Sequence, residues 1–282
     1  MIPIALFHPG VSPKAVDAFR LISPELSIVS DLASHKDANA ALIFGGDGTV
    51  HRYLPDLHKY KIPTLVVPAG SGNDFAKALG ITTQRVALQA WKRFCSTGDN
   101  VKNIDLGVVR PAAGEAPTLF CCVASSGLDA EANRLANRMP AWLRAYGGYL
   151  VAALRTLAAF TPVEFRVTAG DRTIRREGFF VAVGNAHRYG GGMKITPQAK
   201  VDDGLLDICF IGRMAKLKVL CALPTLPFGA HTRLKEVEYL RSESVKIDAA
   251  RPLDVYADGE YVCQTPVEIG LVPRTMPMIV PG

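Results

Sequence analysis

Apolar residues in the first hundred positions fall into short unbroken runs separated by amphipathic stretches. Residues 2–7, 26–29, 41–44 and 64–67 read as strands. The last two runs show no alternation, as in a parallel sheet covered on both faces. Helical periodicity fills the gaps at 15–21, 50–60, 74–79 and 85–94. Ser12 and Pro13 supply an N-cap and a proline for the first helical position, and Gly80 a C-cap. Strand and helix in strict succession predict a parallel α/β sheet, with ligands bound beyond the carboxyl ends of its strands.

Past residue 100 the pattern changes. Residues 103–109, 118–124, 163–168, 178–183, 205–210, 236–240, 245–248, 253–257 and 267–271 read as strands. Turns such as Ala169-Gly170-Asp171 and Asp258-Gly259 link them. One long helical region, 129–160, interrupts the series. The expectation is an α/β N-terminal nucleotide-binding domain over 1–104 and a β-rich, mainly antiparallel domain over 105–265. No internal repeat or low-complexity linker separates them.

Thirty-two Lys and Arg against 26 Asp and Glu leave a formal net charge of +6. That favours anionic partners: nucleotides, acidic lipid headgroups or nucleic acid. No helix-turn-helix, RNA-recognition or zinc-finger pattern is present, so nucleic acid is set aside. The six cysteines form no Cys-x-x-Cys pair and sit mostly in apolar runs, as buried reduced thiols of a cytoplasmic protein do. The histidines lack metal-ligand spacing. No basic region precedes the first apolar run, which reads as a strand and not a signal peptide. No uncharged apolar stretch reaches the roughly 18 residues of a membrane span.

The chemistry is concentrated where two predicted strands end. Ala41-Leu-Ile-Phe leads into Gly45-Gly46-Asp47-Gly48-Thr49, and Leu65-Val-Val-Pro68-Ala into Gly70-Ser71-Gly72-Asn73-Asp74. Glycines let backbone N–H groups approach a polyanion, and a following helix adds its positive end. Neither turn is a Walker A loop, because no Gly-Lys-Ser/Thr follows. Three further segments hold carboxylates or glycines in suggestive places. They are Ile104-Asp105-Leu106-Gly107, the stretch 185–207 with Gly190-Gly191-Gly192 and Asp202-Asp203-Gly204, and Asp258-Gly259-Glu260.

In this order and spacing the five segments resemble the diacylglycerol kinase catalytic-domain family. That family takes in soluble bacterial lipid kinases and sphingosine and ceramide kinases, and is distantly related to NAD kinases. The resemblance implies an α/β domain and a β-rich domain, with the last strand, about 266–282, returning to the first and the active site in the cleft between them. It implies ATP as donor, Mg2+ as cofactor and a lipid hydroxyl as acceptor, of the diacylglycerol or long-chain-base type. Carried over by position, the nucleotide site comprises His8, Gly10, Gly45, Gly46, Asp47, Gly48, Thr49, Val50, His51, Arg52, Gly70, Ser71, Gly72 and Asn73. Glu260 takes the general-base position with Asp258 beside it. Asp47, Asp74 and Asp105 join an acidic network that organises Mg2+ and water. The choice of base among Glu260, Asp258 and Asp47 stays open. A separate structural Mg2+ site maps to the carbonyls of Lys200 and Leu205 and the carboxylate of Asp203.

This chain departs from the family pattern in places. His8-Pro9-Gly10 stands where Asn-Pro is usual, the stretch before Gly45 is short, and Ala124-Ser125-Ser126 replaces a common Asn. An NAD kinase-like enzyme is the nearer rival, opposed by Asn73-Asp74-Phe75 and by Asp258-Gly259-Glu260. A non-catalytic nucleotide- or lipid-binding regulator is the other, opposed by retention of the motif carboxylates. Residues 132–163 carry Arg134, Arg138, Arg144 and Arg155, no acid, and the interleaved Trp142, Tyr146, Tyr149 and Leu150. They read either as a basic aromatic surface for anionic membrane or as a helix with a solvated basic face. Residues 227–231 read as a loop with an apolar tip that either approaches the lipid or is an ordinary surface loop, and His187 and Arg188 either touch phosphate or cover the glycine run. Peripheral membrane association is expected, and a homodimer is left open.

Overall fold

The computed structural model describes residues 3–8, 10–137 and 149–282. The chain forms two compact units, Met1–Leu106 with Val272–Gly282, and Gly107–Leu271. The sequence pattern had put these divisions at 104/105 and 265/266.

In the first unit the strands lie in the order Ser27–Ile28, Pro3–Phe7, Ala40–Gly45, Thr64–Pro68, and then the end of Val267–Ile279, all parallel. Every residue of Ala40–Gly45 is buried, which explains its unbroken apolar run. Phe44 stacks on Phe7 with ring centroids 4.6 Å apart and meets the edge of Phe19 at 5.2 Å. Helices Asp47–Tyr60 and Gln84–Ser96 supply the other apolar faces, through Leu54, Leu57 and Trp91 among others. The short strand Ser27–Ile28 is exposed, unlike the buried strand its apolar run suggests.

The strand order reverses at Pro3–Phe7. The chain steps from it to one side for Ser27–Ile28 and to the other for Ala40–Gly45. Such a switch point leaves an open crevice at the carboxyl edge. The loops at its lips are 8–10 and 45–49, joined by the His8 N–H donating to the Phe44 carbonyl at 2.9 Å. The C-terminal tail is fixed by Asn100, whose buried amide donates to the carbonyls of Ala90 (3.0 Å) and Val280 (2.8 Å).

The second unit is antiparallel throughout. Arg172–Gly184 is its central strand, pairing in its first half with Val163–Ala169 and in its second with Val123–Gly127 and Leu206–Gly212. At Gly178, where the partners change, a Cβ would stand 2.5 Å from the Phe210 ring, so glycine is required there. The expected strand 118–124 is two strands, Thr118–Phe120 and Val123–Gly127, because the N–H groups between them go to a side chain. A strand with no earlier counterpart, Glu260–Gln264, pairs with Asp254–Ala257 across the two-residue turn Asp258-Gly259. Both turn residues have positive φ, 50° and 89°, the geometry that Asp-Gly favours. The expected helix 129–160 appears as Leu128–Asn137 and Tyr149–Ala159. Arg138, Trp142, Arg144 and Tyr146 lie outside the described residues, as do the side chains of Tyr149 and Leu150. Helix Lys216–Ala222 and the tight turns Leu223–Phe228 and Ala230–Arg233 fill a stretch that carried only the 227–231 loop expectation.

Candidate active site

The two glycine turns meet. Parallel pairing sets Gly45 opposite Pro68, so both chains leave the sheet at the same level. A Cβ on Gly70 would lie 2.7 Å from the Gly46 Cα, and one on Gly46 would lie 3.1 Å from the Gly70 Cα. Only two bare backbones fit that crossing. Asn73 holds the second turn from inside. It sits at φ 53°, and its amide donates to the Gly70 carbonyl (2.6 Å) while its Oδ1 accepts the Gly70 N–H (2.8 Å). Lys77 Nζ closes the turn onto the Gly72 carbonyl at 2.7 Å.

Asp47 locks one turn to the other. It is the first residue of helix Asp47–Tyr60, yet its carboxylate reaches the start of helix Asp74–Ala78. There Oδ2 accepts the Asp74 N–H (3.1 Å) and Oδ1 the Phe75 N–H (2.9 Å). Hydrogen bonds to a charged group are worth about 1.5–3 kcal/mol each. Asp47 is therefore as much a brace as a ligand, and Asp74 is buried beneath it.

The fit to a nucleotide rests on the start of the 14-residue helix Asp47–Tyr60. Its cap, Gly46, offers no side-chain hydrogen bond, and Gly48 is open to solvent with nothing within 4 Å of a built Cβ. Thr49 Oγ1 is buried beside Gly45 with no hydrogen-bond partner among the described residues. An uncapped helix start bordered by bare glycines suits a phosphate. Gly70, Ser71 and Arg52 are exposed at the two turns, Val50 is buried, and His51 and Gly72 are half-buried. His8 Nδ1 accepts the Gly10 N–H at 3.1 Å. An Asn side chain makes the same two-residue contact in an Asx turn, so His8 can replace Asn without changing the loop.

Asp105 is wholly buried, and its Oδ1 accepts the N–H of Arg274 at 2.7 Å, at a residue with φ 47°. Its contact fixes the returning chain.

In the second unit Asp258 and Glu260 part company. The expectation that both carboxylates face the substrate is corrected for Asp258. Its Oδ2 accepts the Cys121 N–H (2.8 Å), and its Oδ1 accepts those of Cys122 (2.8 Å) and Val123 (3.3 Å). This is the side chain that interrupts the expected strand 118–124. The Cys121 and Cys122 thiols lie within 4.8 Å of that carboxylate, whose oxygens serve backbone donors. Glu260 begins the next strand, exposed, and no hydrogen bond or ion pair to a described residue holds its carboxylate.

The structural Mg2+ site does not fit. Asp203 is ion-paired with the Arg241 guanidinium and accepts the Leu205 N–H at 3.2 Å. Arg241 Nε also lies 3.4 Å from the fully buried Asp207, whose carboxyl is pushed above its ordinary range by burial, with Arg241 opposing the shift. A built-in cation thus occupies Asp203, the one carboxylate assigned to the metal.

The glycine run 190–192 needs its glycines, all at positive φ. It is anchored by Tyr189, whose hydroxyl donates to Asp129 Oδ1 at 2.9 Å, while Ser125 donates to Oδ2 at 2.7 Å. Sequence reasoning missed Asp129 as a positioning residue. Its signal was an acid in an apolar stretch at a helix start. Arg188 Nε donates to His187 at 3.2 Å, and Arg134 lies 3.8 Å from Asp254.

A parallel α/β unit with glycine turns at its switch point, joined to an antiparallel β-rich unit, defines a two-domain kinase fold of the diacylglycerol kinase and NAD kinase type. Residues 24–109 match the diacylglycerol kinase catalytic domain, and residues 122–280 match the YegS C-terminal NAD kinase beta sandwich-like domain. The chain is 34% identical over 253 residues to a diacylglycerol kinase of Mycobacterium tuberculosis, covering 87% of this chain and 78% of that one. It is 28% identical to a probable YegS-like lipid kinase of Chromohalobacter salexigens, covering 84% and 74%. The fold superposes on a putative diacylglycerol kinase of Bacillus anthracis with a TM-score of 0.77, at 22% identity and 99% and 94% coverage. An Archaeoglobus fulgidus NAD kinase solved with ATP gives 0.54, at 14% identity and 100% and 94% coverage. The chain belongs to the diacylglycerol kinase and YegS-like lipid kinase family.

Two outcomes follow from this geometry. Gly70→Ala should force the two turns apart, lowering ATP affinity tenfold or more and stability by about 1–3 kcal/mol, the usual cost of overpacking. Calorimetric ATP titration and thermal melts measure both. Arg241→Met should strip Asp203 and Asp207 of their cation and cost about 1–3 kcal/mol, between the limits for exposed and buried pairs. The wild-type melting temperature should not respond to Mg2+ or to a chelator. A rise with Mg2+ would restore the metal site.

Proposed function

We propose that this protein transfers the γ-phosphate of ATP to a lipid hydroxyl, with diacylglycerol as the first acceptor to test. The observation that carries this reading is the crossing of Gly46 and Gly70 at the sheet's carboxyl edge, beside an uncapped helix start. The relative named a diacylglycerol kinase, at 34% identity, favours a lipid over a dinucleotide acceptor. Among the described residues no helix is long and apolar enough to cross a membrane. In this reading the lipid is presented at a bilayer surface and the enzyme works from the cytoplasm.

Phosphoryl transfer asks for positioning and charge neutralisation more than for covalent chemistry. The first unit supplies the nucleotide cradle. Backbone N–H groups at 46–48 and 71–72 would face the phosphates, and Arg52 would add a cation. Asp47 and Asp74 would stand near a polyanion, which repels them unless a hard cation lies between. Mg2+ bound with ATP would supply that neutralisation, held through these carboxylates. The second unit supplies Glu260 as proton acceptor for the lipid hydroxyl. Asp258 is a positioning residue that sets the turn from which Glu260 projects.

The separation of those two roles is testable. Glu260→Gln should leave the melting temperature and ATP affinity unchanged. It should cut single-turnover phosphorylation by about 10² to 10⁴, the worth of a general base. Asp258→Asn should instead lower stability by about 1–3 kcal/mol, because an amide NH2 would face backbone donors. Labelled ATP with a panel of diacylglycerol, phosphatidylglycerol, sphingosine and ceramide identifies the acceptor. Phosphorylation of NAD and of no lipid would overturn the proposal.

A further inference from the structure

The second unit carries an apolar surface that its own packing does not use. Leu217 is 71% exposed and Phe228 80%, and Leu220 is exposed between them. Helix Tyr149–Ala159 packs against Lys216–Ala222 and adds the exposed Val151 and Leu154. Lys216 Nζ bonds the Ala158 carbonyl at 2.6 Å, so the two helices present one surface.

This surface is built to hold its position. Val219 turns inward, where the same elements line a small apolar cavity with Leu223, Leu226 and His231. His231 is buried, with Nε2 3.1 Å from the Ile195 carbonyl. Gly229 follows Phe228 at φ 68°, and a Cβ there would lie 2.6 Å from Pro197. Phe228 is therefore displayed by a tightly packed turn.

Cations lie on the same elements. Residues 213–235 contain Arg213, Lys216, Lys218, Arg233 and Lys235, and Arg155 belongs to the neighbouring helix. Arg213 pairs with Glu177 and Lys218 with Glu236, and Lys235 shares a pocket with both of those acids. Arg155, Lys216 and Arg233 remain exposed without an ion pair among the described residues. Exposed Leu and Phe beside uncompensated Lys and Arg match the interface of an anionic bilayer, where apolar tips enter the acyl boundary and cations meet headgroups.

We infer that helix Lys216–Ala222, the turn Leu223–Phe228 and helix Tyr149–Ala159 form the face by which this protein docks on anionic membrane. The inference deepens the lipid-kinase reading and locates its membrane contact on these elements, of which helix Tyr149–Ala159 carries Arg155 of the sequence expectation. The test is sedimentation of the full chain with phosphatidylcholine vesicles and with equimolar phosphatidylcholine and phosphatidylglycerol. Wild type should bind the mixed vesicles, less so as salt rises, and bind neutral ones weakly. Leu217→Asp with Phe228→Asp should lower binding by roughly tenfold or more, since each change removes a buried apolar side chain from the interface. Arg155→Glu with Arg233→Glu should abolish the preference for anionic vesicles, and every variant should melt as wild type does. Glu260→Gln should bind vesicles like wild type.

Retained binding in the Leu217 and Phe228 double variant, or equal binding to both vesicles, would overturn the docking face. So would a wild-type dimer in lipid-free solution that those substitutions dissolve, because the face would then join two copies of this chain. Phosphorylation of a water-soluble short-chain diacylglycerol by wild type is measured separately. Turnover without vesicle binding removes this inference and keeps the kinase, and vesicle binding without any lipid turnover does the reverse.

Discussion

Two backbones cross where neither can carry a side chain, and the first unit is arranged around that crossing. Gly46 and Gly70 approach closely because their strands are parallel, adjacent and in register at Gly45 and Pro68. Had either strand ended a residue earlier, the turns would pass at different heights and no shared cradle would form. The cost is conformational, since glycines disorder more in the unfolded chain. Asp47 offsets part of it by accepting two N–H groups from the other turn, and Asn73 by bridging Gly70 through both its amide atoms. The loop that must stay bare for phosphate is thus stiffened from behind by side chains that never leave the protein.

Asp258 repeats the device in the second unit. It accepts three backbone N–H groups at Cys121, Cys122 and Val123, segments far away along the chain. Asp105 does the same for Arg274. The motif acids therefore divide by what they face. Asp47, Asp105 and Asp258 each take backbone donors and shape the chain, whereas Glu260 points away from any described partner. A motif read as a cluster of catalytic carboxylates is to a large extent a set of braces, and that division is the ground for proposing Glu260 and not Asp258 as the proton acceptor.

The parallel sheet was legible because strands buried on both faces must be apolar at every position, as 41–44 and 64–67 are. The glycine turns were legible because they follow such runs directly. What escaped the sequence depends on partners far away. The run 118–124 is uniformly strand-like, and only Asp258 breaks it. Glu260–Gln264 is short and mostly exposed, so its pattern carries little weight beside the Asp-Gly turn before it. The acids at 203 and 207 stand out in sequence, but Arg241, which answers them, does not. Leu217 looks like a core residue in sequence, and only folding shows that it faces out, whereas Phe228 was legible as the apolar tip of the 227–231 loop.

The two acidic centres show two ways of keeping negative charge inside a protein. At Asp203 and Asp207 the chain provides one guanidinium, shared by both carboxylates, which offsets part of their charge without a metal. Asp47 is braced differently, by the backbone N–H groups of Asp74 and Phe75. Such contacts hold a carboxylate where it stands and bind the two turns into one cradle. In the proposed chemistry a dication would arrive with the polyphosphate, because hard cations are held by phosphate oxygens together with one or two carboxylates. Metal dependence would then belong to turnover in the first unit and not to the folding of the second.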